Sequence, residues 1–315
     1  SGGDPMAGAR WLTEIYRESR ADLAVSLVSS GTAAIQSVTI ESKRILLVAR
    51  GGGDLIAGRQ SSRFVFRTDH NASQLALACV LAIGTPELNL LVVAPDTREG
   101  HAAVAALKDA VERLQRGVFF IGSKFIRPNE ADIGAAVSSE FEDFHYLHGA
   151  KTLLVLWTDL RPPVAAIAAE NPGRLGIRLA FCGDMDPSAR SLELGSALEG
   201  VTSYFPTLPR NATNDWLLSA LRDRDGERPD AATADGMTAA IAVVNALAVA
   251  RSTEADALIS ALEGLSFETP KGRMTIRPED HQTLQAMYQF RKQPTSDLPE
   301  LAREIGISEI PLPVP

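Results

Sequence analysis

The sequence predicts an α/β protein with two doubly wound lobes, and three observations lead there. Short apolar runs alternate with longer amphipathic stretches, the pattern of strands and helices in βαβ units. Most of these runs are apolar almost throughout rather than at every second residue, as in parallel sheets covered on both faces. A chain of 315 residues is also long enough for about two domains. With 45% hydrophobic and 22% charged residues, it can bury a sizeable core without disulfide staples.

The elements follow in order. Asp22 to Val28 (DLAVSLV) reads as a buried strand, and Ser29-Ser30-Gly31-Thr32 turns it into a helix reaching Ser42. Ile45 to Ala49 (ILLVA) is a second strand, closed by the glycine loop Arg50-Gly51-Gly52-Gly53-Asp54, and Phe64-Val65-Phe66 is a third. A helix from Ser73 to Ile83, a strand from Leu88 to Ala94 and a helix from Gly100 to Gln115 repeat the alternation. It continues with a strand at Val118 to Ile121, a helix from Glu130 to His148 and a strand from Thr152 to Trp157. Val164 to Glu170 is helical and Ile177 to Cys182 a strand. Beyond them the chain turns helix-rich, at Trp216 to Arg222, Ala231 to Ala250 and Glu254 to Leu262. Two β-like pieces, Arg273 to Ile276 and Ala286 to Phe290, precede a proline-containing tail from Pro294 to Pro315.

Composition excludes several functions. The net charge of −8 leaves no basic field for a polyanion, and the densest arginine run, Arg59, Arg63 and Arg67, is flanked by Asp54 and Asp69. Nucleic acid is not expected as a partner. Cys79 and Cys182 are too few for a disulfide framework and wrongly spaced for zinc, so they read as two buried thiols. The longest apolar run, Leu75 to Ile83, falls short of the ~20 residues of a spanning helix, so no membrane insertion is expected. The opening Ser1-Gly2-Gly3-Asp4-Pro5 has no leader character, leaving a cytoplasmic chain or a mature secreted form.

In open α/β sheets ligands bind beyond the carboxyl ends of strands, which directs attention to the loops there. Ser29, Ser30 and Thr32 supply hydroxyls at a helix N-terminus, an anion cradle or an ordinary cap. In the next loop Gly51 and Gly53 allow close backbone approach and Arg50 can pair with an anion. That loop is not a dinucleotide fingerprint, because Ile56 stands where the last glycine belongs, and it lacks a P-loop's Lys-Ser/Thr pair. No cofactor is expected. His145 and His148, three apart on the predicted helix, have no carboxylate at metal-ligand spacing, so no metal is expected. His70 and His101 are isolated, and Asp280 and His281, adjacent on a strand, would face opposite ways. Asp184 and Asp186 form either a working carboxylate pair or the cap of a helix at Ser188. Trp157 ends a strand, where it covers an apolar ligand or packs in the core. No catalytic motif assembles, so no enzyme is expected.

The ordered segments resemble the type I periplasmic solute-binding proteins, the branched-chain amino-acid-binding family of ABC importers. The likeness runs through Asp4-Pro5, the strand and SSGT turn of Asp22 to Thr32, ILLVARGGGD, and FVFRT at Phe64 to Thr68. It continues through LVVAPD at Leu91 to Asp96, Glu199-Gly200-Val201, and the Thr-Pro-x-Gly turn within Phe267 to Gln282. The resemblance implies two Rossmann-like lobes with a hinge of three crossovers, closing on a small ligand. The lobes are expected as 1–72 with 210–276, and 73–209 with 277–315. The ligand's carboxylate would fall to Ser30 and Thr32, with further contacts from Gly51 and Gly53. The second lobe would contribute Thr97, Trp157, Thr158 and the loop of Asp184 and Asp186.

Two departures qualify this. Amino-acid binders of the family place a hydroxyl where Gly53 stands, and their acidic partner for the ligand's ammonium aligns near Met185, so Asp184 or Asp186 must substitute. A carboxylate with an apolar or aromatic body, held by Ser30, Arg50 and Trp157, fits as well as an amino acid. The family also begins with a βαβ unit ahead of the Asp-Pro segment, and a preceding stretch missing from this sequence is expected. The function implied is the extracytoplasmic solute-binding component of an importer, located in the periplasm and partnered by a membrane permease. A ligand-binding sensor domain and, behind it, a doubly wound enzyme are the alternatives.

Overall fold

The computed structural model of the chain describes residues 5–18, 21–27, 32–51, 62–127, 129–157, 162–184, 197–226, 228–295 and 299–312. The chain divides into two compact units, Ser1–Asn71, Arg210–Ala286 and Leu312–Pro315 in unit 1, Ala72–Pro209 and Met287–Pro311 in unit 2.

Unit 1 begins with α1 (Pro5–Glu18), β1 (Leu23–Ser26), α2 (Thr32–Glu41), β2 (Ile45–Val48) and β3 (Val65–Arg67). Unit 2 follows with α3 (Ala72–Ile83), β4 (Leu88–Pro95), α4 (Arg98–Leu114) and β5 (Val118–Ile126). It continues through α5 (Ile133–Ser138), α6 (Phe141–His145), β6 (Ala150–Trp157), α7 (Val164–Ala169), β7 (Ile177–Gly183) and β8 (Leu198–Thr202). The chain returns to unit 1 for α8 (Ala212–Asp225), α9 (Ala231–Ala250), α10 (Ala255–Leu262), β9 (Ser266–Thr269), β10 (Gly272–Ile276) and β11 (Thr283–Leu284). It ends in unit 2 with β12 (Met287–Lys292) and β13 (Glu300–Ile305).

In unit 1 the parallel sheet runs β1-β2-β3 and an antiparallel sheet β11-β10-β9. Strand β2 is buried at every position because both its faces are covered. Ile45 and Leu47 meet α9, α10 and the β9–β10 hairpin, while Leu46 and Val48 meet Ile35 of α2. In unit 2 seven strands run β13-β12-β8-β7-β6-β4-β5, parallel from β8 to β5 and antiparallel at β12 and β13. One face packs on α3 and α4, the other on α5, α6 and α7.

Several expectations change. The helix foreseen over 130–148 is two short helices, broken where the Ser138 and Ser139 hydroxyls turn back to the carbonyls of Ala135 and Ala136. His148 consequently lies beyond α6, while His145 closes it and donates through Nδ1 to the Leu175 carbonyl at 2.9 Å. The supposed proline tail contains β13, stabilised by its pairing with β12. Residues 277–286 belong to unit 1 rather than the second lobe, because β11 pairs with β10. Asp280 and His281 sit in the turn before β11, with His281 at φ 58° and Asp280 ion-paired to Arg277.

Cys79 and Cys182 are a disulfide, not two thiols. Helix α3 packs on the face carrying β7, bringing their Cα atoms to 6.2 Å inside the core. Helix α9 is long and apolar enough to cross a membrane by length and composition. In unit 1 its Ala242 and Ala246 pack against the core, and it carries a buried, ion-paired Asp235.

Candidate functional site

The carboxyl end of the unit 1 sheet begins with Arg50, two residues past β2. Its Nη1 donates to Asp235 Oδ2 at 2.7 Å. Gly51 follows at φ 70°, a left-handed position that favours glycine and turns the chain directly after the arginine. Asp235 comes from α9, whose N-terminus is fixed by Asp230 accepting from the Thr233 amide.

The other Asp235 oxygen, Oδ1, accepts from Lys271 Nζ at 2.7 Å, and the same ammonium reaches Asp69 Oδ1 at 2.7 Å. Lys271 occupies the β9–β10 hairpin. There Thr269 Oγ1 accepts from the Lys271 amide and donates to the Gly272 carbonyl, while Gly272 turns at φ 98°. The turn therefore aims the lysine inward, where it is 1% exposed.

Asp69 stands two residues past β3, level with Arg50, since Val48 and Arg67 pair in register. His70 Nδ1 donates to its Oδ1 at 2.9 Å, and Gln282 Nε2 donates to its main-chain carbonyl at 2.7 Å. Burial, the largest single influence on Asp69, pushes its carboxyl up. The charges of His70, Lys271 and Arg50 and the His70 hydrogen bond together outweigh it. They hold Asp69 well below the ordinary carboxylate range.

At the carboxyl end of the unit 2 sheet, Thr97, Trp157 and Asp184 follow β4, end β6 and follow β7, three adjacent strands. Thr97 is the N-cap of α4, its hydroxyl accepting from the Gly100 amide at 3.1 Å. Trp157 is 8% exposed and packs in the core. It pairs with Gly183, where a Cβ would stand 2.1 Å from the Trp157 carbonyl oxygen, so only glycine fits. Asp184 is buried, and its Oδ1 accepts from Thr202 Oγ1 at 3.2 Å, the Ser203 amide at 3.2 Å and Ser203 Oγ at 2.8 Å.

Of the residues singled out from sequence, Ser29, Ser30, Gly53, Thr158 and Asp186 lie outside the described residues, and of Thr32 only the backbone, opening α2, is described. Arg50 and Gly51 come together in unit 1, and Thr97, Trp157 and Asp184 line one sheet edge in unit 2. Sequence reasoning missed Asp69, His70, Asp235 and Lys271. Signals existed: Asp69-His70 follows a strand, and Asp235 is the one charged residue in a long, alanine-rich helix. No group of three or more His, Cys, Asp or Glu that could hold a metal occurs among the described residues.

Residues 1–296 match the family described as "Periplasmic binding protein". No curated protein matches the chain. Among solved structures, an ABC-type branched-chain amino acid transporter protein from Rhodopseudomonas palustris is 33% identical. The match covers 99% of this chain and 85% of that one, with a TM-score of 0.84. An ABC transporter substrate-binding protein from Sphaerobacter thermophilus is 17% identical, over 97% and 85% of the two chains, with a TM-score of 0.82. A solute-binding protein from R. palustris in complex with benzoate is 16% identical, over 96% and 82%, with a TM-score of 0.75. The last two are similar in fold.

Proposed function

The chain belongs to the periplasmic binding protein family, and on that premise we propose that it captures a small carboxylate-bearing solute for an ABC importer. Family and neighbours are transport-associated substrate-binding proteins, not enzymes. The observation that carries the ligand class is Arg50, a cation at the carboxyl end of β2 whose guanidinium is ion-paired to Asp235. A guanidinium so fixed is suited to a carboxylate. Ser29, Ser30 and Thr32, with Gly51 and Gly53, complete the anion-binding loops on this reading. Thr97, Trp157, Thr158, Asp184 and Asp186 supply the contacts from unit 2.

The ligand is an amino acid or an aliphatic or aromatic organic acid. A branched-chain amino acid transporter protein is the 33% identical neighbour, and benzoate is bound by a more distant one. The protein works in the periplasm and hands its solute to a membrane permease. The Cys79–Cys182 disulfide supports that location, since such links persist in oxidising compartments.

A thermal-shift screen against amino acids and aliphatic and aromatic carboxylates tests the proposal. A ligand at a hundred times its Kd adds about 2.7 kcal/mol of apparent stability. Hits should be carboxylates and should disappear in Arg50→Met. Hits among amino acids alone would assign Asp184 or Asp186 to the ammonium. Hits confined to uncharged solutes would overturn the proposal.

A further inference from the structure

Among the described residues of unit 1, five side chains are linked in a row from Arg50 to His70. Arg50 and His70, each 12% exposed, stand at the carboxyl ends of neighbouring strands. Asp235, Lys271 and Asp69 link them and are sealed, at 0%, 1% and 5% exposure. Two cations and two carboxylates are thereby taken out of water, at a cost of several kcal/mol each. A buried pair of this kind is often no more stabilising than apolar side chains of the same volume. Stability alone therefore gives no reason for this arrangement.

Direction does. Asp235 assigns one oxygen to each cation, so the guanidinium lies where Lys271 lets it lie. Lys271 is itself fixed twice, by the Thr269 turn of the hairpin and by Asp69 at the end of β3. Three separate stretches of sequence thus determine where one arginine side chain stands. An arginine held this way has already lost the rotamer freedom that binding would otherwise remove.

We propose that Asp235 and Lys271 are positioning residues for ligand binding, holding Arg50 as a preset fork for the solute's carboxylate. This rests on the reading of Arg50 as the ligand's anchor. The two ideas separate experimentally, because the posture of Arg50 can be measured without any solute.

The experiment follows phenylglyoxal modification of Arg50 by peptide mass mapping in the full chain. It compares wild type, Asp235→Asn, and Asp235→Leu/Lys271→Met. The double variant removes one charge of each sign and keeps the remainder balanced, so it serves where Asp235→Asn fails to fold. Labelling of Arg50 should quicken by about tenfold in both, and binding of benzoate or L-leucine should weaken by about tenfold, the loss expected when binding must again order one rotamer-rich side chain. Arg50→Met should lose more, and Arg50→Met/Asp235→Asn no more than Arg50→Met alone. Unchanged labelling, with binding lost in Arg50→Met, overturns the positioning and leaves the anchor standing. Full additivity in the double variant also overturns it, since Asp235 would then act apart from Arg50. Wild-type affinity in Arg50→Met, or no binding of either probe to wild type, overturns the anchor reading and the ligand role built on it.

Discussion

Beyond β2 and β3, in unit 1, Asp69 and Asp235 are met by Lys271, Arg50 and His70. Beyond β7, in unit 2, Asp184 is met by two hydroxyls and an amide from Thr202 and Ser203. Both solve one problem, a carboxylate taken out of water at a strand's end. In unit 1 charge is answered by charge, so removing a member strands its partner in the interior. In unit 2 the donors that the described residues bring to Asp184 are neutral, each replaceable on its own. Unit 1 should therefore fail abruptly and unit 2 by degrees.

The largest effect expected is that of Lys271→Met, which leaves Asp69 and Asp235 facing each other without the ammonium. A destabilisation of about 3–5 kcal/mol is expected, as for other broken buried pairs. Urea unfolding followed by far-UV circular dichroism measures it. The loss has a pH signature. Asp69 titrates lower in the folded protein than in the unfolded chain. Its contribution is therefore full above the unfolded carboxylate value of about 3.9 and is lost as pH falls from there toward the folded value. Lys271→Met has less of that contribution to lose, so its gap to wild type should narrow below about pH 4. A gap that widened there would show that Lys271 does not hold Asp69 ionised.

Next in size is the staple that unit 2 has and unit 1, among its described residues, lacks. Replacing Cys79 and Cys182 with alanine should lower the stability of unit 2 by about 2–4 kcal/mol. Trp157 lies in unit 2, while Trp11 and Trp216 lie in unit 1. Fluorescence from Trp11→Phe/Trp216→Phe protein therefore isolates the unit 2 transition. A shift confined to that transition sharpens the contrast. An equal shift in unit 1, read from Trp157→Phe protein, would break it.

Legibility in the sequence follows the same division between local and distant causes. Strands β2, β4, β6 and β7 are readable because both faces are buried over most of their length and most positions are apolar. The second half of β5 is not, since Gly122, Ser123 and Lys124 break the run, yet it pairs with Leu91, Val92 and Val93. Strand β13, ELAREI, has the composition of an exposed helix and is a strand because β12 offers it an edge. In β8, Gly200 is needed where a Cβ would stand 1.7 Å from the Phe181 carbonyl oxygen, a constraint imposed by the partner strand. Arg50 is singled out by the rule that ligands lie beyond strand ends. Its partner Asp235 is 185 residues away, and nothing local announces the pairing.

The smaller effects belong to unit 2. Ser203→Ala removes the shortest of the three hydrogen bonds that the described residues make to Asp184 Oδ1 but leaves the Ser203 amide and Thr202 Oγ1 in place. A cost of about 1–3 kcal/mol is expected, below that of Lys271→Met because two donors remain. Thr202→Val removes a weaker donor to Asp184, together with the bond from the same hydroxyl to the Tyr204 carbonyl. If neutral donors are separable, the double variant's loss should exceed each single loss and approach their sum. A double variant no worse than Ser203→Ala would mean that Thr202 and Ser203 act as one unit. Unit 2 would then be as cooperative about its carboxylate as unit 1, and the distinction between charge and neutral donors would lose its force.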